Sequence, residues 1–240
     1  QYCQDHTGIM TWSSLLKSHT LDLLFPAQCC GCGNIGAILC MSCADALTRI
    51  PPQCFVCHAW VPGTDSAPPG RTCTRCRPHS AVYAFLSPFS YQHDTMRELV
   101  HGLKYRRCRE VAALFADMLA THLAAMRVVF PEDTVLIPVP LYKTRERMRG
   151  FNQSLLIAKV LGERIDLEVR PDVLKKVKKT IPQMELFREE RLKNLSNTFA
   201  VSDSLPVKGK TILLLDDVKT TGATLEEAAH VLRKAGAKQI

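Results

Sequence analysis

The 240-residue sequence has no long apolar run, and a mean hydropathy of −0.02 argues against a transmembrane helix. Residues 1–25 lack a basic start, an uninterrupted hydrophobic centre and a small-residue cleavage site, so no secretory signal is read there and a cytoplasmic location is expected. The chain does not open on Met; Met10 is an alternative start. Aromatic residues are scarce, at 7%, and nowhere concentrated, which leaves no evident stacking platform for single-stranded nucleic acid. No stretch is low in complexity. Acids are outnumbered, with 23 Asp and Glu against 31 Lys and Arg, for a net charge of +8 and a pI of about 9.0.

That imbalance is local. Residues 142–199 hold 14 basic side chains and eight acids, a surplus of +6, and Lys104-Tyr-Arg-Arg-Cys-Arg109 forms a second basic knot. Such an excess favours an anionic partner, either a polyphosphate ligand or nucleic acid. For any single Lys, a solvated surface is the plainer reading.

Cysteine, by contrast, is abundant. Of 11 Cys, eight fall into four C-x-x-C pairs: Cys29/Cys32, Cys40/Cys43, Cys54/Cys57 and Cys73/Cys76. A two-residue gap lets both sulfurs of a tight turn face one tetrahedral ion. The last two pairs are separated by fifteen residues, within the zinc-ribbon range; the first two are seven apart, short but workable. Disulfides are disfavoured by the odd total and by the strain of bridging C-x-x-C, and an iron–sulfur cluster by spacing. One or two structural Zn2+ ions are expected. Sequential pairing is the simplest scheme; a crossed scheme, or loss of one site, stays open. His58 and His79 are close enough in sequence to substitute as ligands, though surface roles suit them better.

Residues 212–224 read Ile-Leu-Leu-Leu-Asp-Asp-Val-Lys-Thr-Thr-Gly-Ala-Thr. Continuous aliphatic residues suit a strand buried on both faces of a parallel sheet. A helix follows from near Thr224, with apolar Leu225, Ala228, Ala229, Leu232 and Ala235, and Gly236 ends it. The small-residue turn between them offers backbone N–H groups to an anion at the positive helix end. Two adjacent carboxylates would repel a phosphate held alone, but suit a ligand that also presents hydroxyls or a divalent cation. A sugar phosphate meets both demands. Thr220, Thr221, Gly222, Ala223 and Thr224 would hold its phosphate, and Asp216 and Asp217 its ribose hydroxyls. This run resembles the phosphoribosyl-pyrophosphate (PRPP) motif of type I phosphoribosyltransferases, in which the position of Lys219 varies and carries no fixed role.

Elsewhere the pattern alternates strands and helices. Helices are expected from Asp94 through Leu103, over about 109–126, and from 151–154 to about Glu163; strands over 135–140, 173–179 and 199–201, with a strand or hairpin over 81–91. Residues 142–150 read as a basic loop and 185–195 as a short helix. The expected organisation is an N-terminal extension (1–28, with one helix), a Cys-rich metal module (29–78) and an α/β domain (79–240) with a parallel, doubly wound sheet binding ligand at its strand carboxyl ends. The sequence stops at Ile240, where a further strand is expected to begin, so the sheet is expected to have a raw edge.

Residues 29–240 together resemble the ComF family, whose members join a zinc module to a phosphoribosyltransferase-like domain. The resemblance rests on the C-x-x-C pairs, Gly102-Leu-Lys104-Tyr105, Pro138-Val-Pro140 followed by Arg147-x-Arg149-Gly-Phe-Asn-Gln153, Lys178-Lys-Thr180-x-Pro-Gln183 with Arg191 and Asn194, and the 212–224 motif. It implies a pyrophosphate-binding loop with Arg145, Arg147 and Arg149, and a mobile lid with Lys178 and Lys179. It further implies PRPP with Mg2+ as ligand, and a role in handling single-stranded DNA during natural transformation, with a DNA helicase as partner. For Arg149 and Asn152, bracing of the turn is the competing reading. An active phosphoribosyltransferase acting on an amine or nucleobase, or a PRPP sensor without catalysis, are the alternatives. No catalytic residue is identified, since neither a base-specific hood nor a glutaminase nucleophile is recognisable.

Overall fold

The computed structural model describes residues 26–65, 67–105, 108–178 and 197–240. The expected helices within 1–28 and over 185–195, together with Lys179, Thr180, Pro182, Gln183, Arg191 and Asn194, lie outside the described residues.

The sheet is built on β1 (Thr134–Pro138), all five residues of which are buried. It pairs in parallel with β5 (Thr211–Leu215) on one side and β2 (Glu168–Val169) on the other, giving the order β2-β1-β5. Val135 and Ile137 face a core that includes Ile212, Leu225, Ala228 and Leu232; Leu136 faces an opposite core with Leu99, Val111, Phe115, Ile157 and Leu161. Both faces are covered by helices, so an unbroken aliphatic strand is what burial selects. α1 (Met41–Asp45) lies in the Cys-rich segment; α6 (Ala223–Lys234) supplies the first core, and α2 (Asp94–Tyr105), α3 (Glu110–Ala125) and α5 (Gln153–Ile165) supply the second. The fold is thus a mixed α/β structure with a parallel sheet. A short antiparallel pair, β3 (Leu174–Lys176) with β4 (Phe199–Val201), stands apart from it. No helix among the described residues is long and apolar enough to cross a membrane.

Two expectations are corrected. Residues 143–149 form a helix, α4 (Lys143–Arg149), instead of a loop; Gly150 at φ +83° ends it, a left-handed stop that the run of basic residues obscured. Residues 81–91 form no strand: they run beside the Cys-rich segment and bridge it singly, at Arg71–Ala84 and Arg49–Phe89. Their partners are themselves loops, so no ladder can propagate.

β5 ends the sheet order, and Gln239 makes one parallel bridge to its first residue, Thr211. A cavity of about 590 Å3 runs along β5, lined by aliphatic and aromatic side chains and reaching Asp216 and Asp217 at one end.

Close packing of α5 on the sheet depends on Gly162. A Cβ there would lie 2.5 Å from Val169 Cγ2 and 2.9 Å from the Leu167 carbonyl. Gly162→Ala gains up to about 1 kcal/mol of helix propensity but must displace backbone, at a cost of roughly 1–3 kcal/mol. The expected result is net destabilisation of about 1–2 kcal/mol in thermal unfolding.

Candidate functional site

The acid pair follows directly from the end of β5, at the carboxyl edge of the sheet. Asp216 Oδ1 accepts from Ser154 Oγ at 3.0 Å and from the Asp217 backbone N–H at 2.9 Å. Burial, reinforced by the charge of Asp217, pushes the Asp216 carboxyl up to about 8. Asp217 has different partners. Gln153 Nε2 donates to its Oδ1 at 3.3 Å, and Lys104 forms an ion pair with its Oδ2, the two side chains being 19% and 5% exposed respectively.

Beyond the acids, Thr220 and Thr221 are exposed and Gly222, at φ +83°, turns the chain into α6. That conformation suits a residue without Cβ. The Ala223 N–H reaches Thr221 Oγ1 at 3.4 Å, a long contact within the turn, and the Gly222 carbonyl accepts from Glu226 N–H at 2.9 Å. The order is therefore half-buried strand, desolvated acid pair, exposed hydroxyl turn, helix N-terminus.

Cations gather on the acid side. Arg149 Nη1 donates to Gln153 Oε1 at 2.8 Å, its guanidinium lies 5.4 Å from the Tyr105 ring, and Gln153 passes the contact on to Asp217. Lys176 is depressed by burial and then by Arg145, while Asp216 acts in the opposite sense, which sets its ammonium among those charges. Arg147 and Lys178 are exposed. Asn152 is a correction: its Oδ1 caps α5 at Ser154 N–H (3.0 Å) and its Nδ2 donates to the Val139 carbonyl (3.1 Å). It is 7% exposed, so bracing, the competing reading, is what its geometry supports.

The sequence alone assigns no role to Lys104, Lys176, Gln153 or Ser154. Lys104 lies within the Gly102–Tyr105 run, and Gln153 and Ser154 open an expected helix. Their common signal is polarity at positions the helical pattern would bury; Gln153 and Ser154 are 3% and 1% exposed.

The cysteines gather in sequential pairs. Cys29, Cys32, Cys40 and Cys43 form one group and Cys54, Cys57, Cys73 and Cys76 the other, with ligand atoms in each within 4.8 Å of one another. The ten cysteines among the described residues are all free thiols. Sulfur separations of 3.7 Å (Cys29–Cys40), 3.6 Å (Cys32–Cys40) and 3.7 Å (Cys57–Cys73) match the roughly 3.8 Å edge of a tetrahedron with Zn–S bonds of about 2.3 Å. Backbone N–H groups of Cys40 and Cys73 donate to Cys29 Sγ and Cys54 Sγ, each at 3.4 Å. Cys29 is lowered to about 6, first by the Cys40 backbone N–H. Burial opposes ionisation of Cys54, yet the backbone N–H groups of Cys57, Cys73 and Val56 bring it down to about 6 as well. The crowding has a converse: Cys43, through Cys40 and Cys29, and Cys76, through burial and then Cys73, rise to about 12. Four ionised thiols in that space need a divalent cation, and the geometry fits zinc.

Comparison with known proteins follows the same lines. A family model described as a phosphoribosyl transferase domain matches residues 152–240. The chain is 31% identical over 204 residues to the DNA utilization protein YhgH of Salmonella typhi, covering 84% of this chain and 87% of that protein. It is 39% identical over 106 residues to Competence protein F of Haemophilus influenzae, covering 44% and 46% respectively. With Competence protein ComFC of Bacillus subtilis it shares 32% identity over 167 residues, 68% of this chain and 63% of the relative.

Proposed function

This chain belongs to the ComF family, with a phosphoribosyltransferase-like domain, and on that premise we propose that it binds PRPP with Mg2+ and acts in handling single-stranded DNA during competence. The observation that carries the ligand half is the acid pair. Asp216 and Asp217 are drawn out of water at a strand end, beside an exposed hydroxyl turn and a helix N-terminus. Desolvated carboxylates cost stability, which a binding role offsets. In this reading the pair accepts from ribose 2′ and 3′ hydroxyls, the 220–224 turn holds the 5′-phosphate, and Arg145 and Lys176 stand toward the pyrophosphate. Asp216 and Asp217 are the acids that would stand near a Mg2+ arriving with the ligand, and the ion would offset part of the ligand's negative charge. Lys104 gives Asp217 a counter-ion while the ligand is away.

Titration calorimetry with PRPP and Mg2+ tests this half; undetectable heat at millimolar ligand overturns it. Release of pyrophosphate when an acceptor amine or base is added would move the reading to catalysis, for which no residue is yet assigned.

The DNA half draws on the relatives' names and on the basic surplus. The exposed cations track the phosphate backbone, and a helicase of the uptake machinery is the partner this role calls for, in the cytoplasm. An oligonucleotide of single-stranded DNA is expected to bind with log affinity falling linearly in log salt. If about four phosphates are engaged, affinity drops roughly 50-fold between about 50 and 200 mM. Salt-independent binding, or none at low salt, removes the DNA half.

A further inference from the structure

The second thiol group does not stand apart from the hydroxyl turn. Phe55, the residue after Cys54 within its C-x-x-C turn, is 5% exposed and lies in the same core as Ile212, Leu225 and Ala229. Its ring rests on Gly222: a Cβ there would lie 2.8 Å from Phe55 Cζ and 3.1 Å from Lys219 Cε. The Lys219 ammonium sits 5.0 Å from the Phe55 ring and 5.0 Å from that of Phe85, and those two rings meet edge-on at 5.6 Å. The other end of the thiol group grips the same helix. Just past Cys76, Ser80 Oγ and the Ala81 N–H donate to the Glu226 carboxylate at 2.7 and 2.6 Å. Gly222 and Glu226 are one helical turn apart, so the start of α6 is held at two points by the segment the thiols organise.

We propose that Phe55 is a positioning residue through which metal held by Cys54, Cys57, Cys73 and Cys76 sets the 220–224 turn, so that metal retention and phosphoribosyl-ligand affinity are linked. The inference rests on the ligand reading above. Removing the metal frees the C-x-x-C turn, Phe55 no longer backs Gly222, and Lys219 loses one face of its aromatic seat. By reciprocity, a ligand that fixes the turn must slow loss of the metal. The other thiol group is an internal control, because its neighbours Cys30, Ile38 and Leu39 pack against the opposite core.

Two measurements on the full, zinc-loaded chain test the link. The first follows zinc transfer to a chromogenic chelator with and without saturating PRPP and Mg2+. One metal equivalent is expected to leave about 5-fold or more slowly with ligand, the other at an unchanged rate. Phe55→Leu, which keeps the core filled, abolishes that protection while retaining both metals. The second is hydrogen exchange without ligand. In Phe55→Leu, amides of residues 220–224 exchange faster while those of β1 and β5 keep the wild-type rate. Identical exchange in the two proteins, or equal release of both metals with PRPP bound, overturns the link. Faster exchange of the turn in a chain that binds no PRPP supports the positioning role and overturns the ligand reading instead.

Discussion

Replacing Asp216 and Asp217 together by Asn is expected to weaken PRPP binding by about 100-fold or more, read by calorimetry with Mg2+ present. Two charge-assisted acceptors are removed at once, each worth roughly 1.5–3 kcal/mol against a ligand hydroxyl. Full-strength binding by the double variant would place the site elsewhere. The single change Asp216→Asn has a second consequence, in stability. Its carboxyl is raised from 3.8 to about 8 by burial and by Asp217. Between those values the folded chain keeps a proton that the unfolded chain has released. Stability from this group is therefore present at low pH and lost as pH rises through the folded value. Asn at 216 has no such titration. Its melting temperature is expected to exceed that of the wild type by a few degrees at pH 8.5, with a smaller gap at pH 5. A gap that does not change with pH would mean that the Asp216 carboxyl is well solvated. In the proposed role, ligand or Mg2+ restores the carboxylate form, so the stability forfeited at Asp216 is recovered on binding.

Loss of the second thiol group should be the most damaging single event for the fold. Cys54 is fully buried and Cys76 7% exposed, and the segment they anchor supplies Phe55 and Val82 to the core around β5 and α6. Binding of a structural zinc contributes on the order of 10 kcal/mol, comparable with the whole stability of an ordinary domain. Cys54→Ser is expected to cut metal content from two equivalents to one and to lower the melting temperature by about 10 °C or more, read by elemental analysis and calorimetry. Cys32→Ser, at an exposed ligand of the first group, should lose one metal with a smaller fall in melting temperature. If Cys54→Ser keeps both metals, zinc binding by that group is refuted.

Much of the fold was legible because local chemistry and burial agree. The run 212–215 is aliphatic because β5 packs against both cores, and the helices around Leu99, Phe115 and Ile157 show in the sequence the apolar spacing that their buried faces require. Where local signals conflicted, the reading failed. Residues 143–149 carry four cations in a row of seven, which reads as a solvated loop until Gly150 is recognised as a helix stop. Residues 81–91 alternate like a strand, but strand partners are a matter of what lies alongside, and here only loops do.

The sequence by itself determined that thiols come in C-x-x-C pairs suited to metal and that two acids precede a hydroxyl turn at a strand end. Those features are written within a few residues of each other, where chain geometry leaves little freedom. Only the tertiary structure decided that the pairs combine in order, that Lys104 and Gln153 attend Asp217 while Ser154 attends Asp216, and that Phe55 backs Gly222. The contacts with Asp216, Asp217 and Gly222 join residues remote in sequence, and their meeting depends on how helices and metal module close over one sheet edge, which no local pattern encodes.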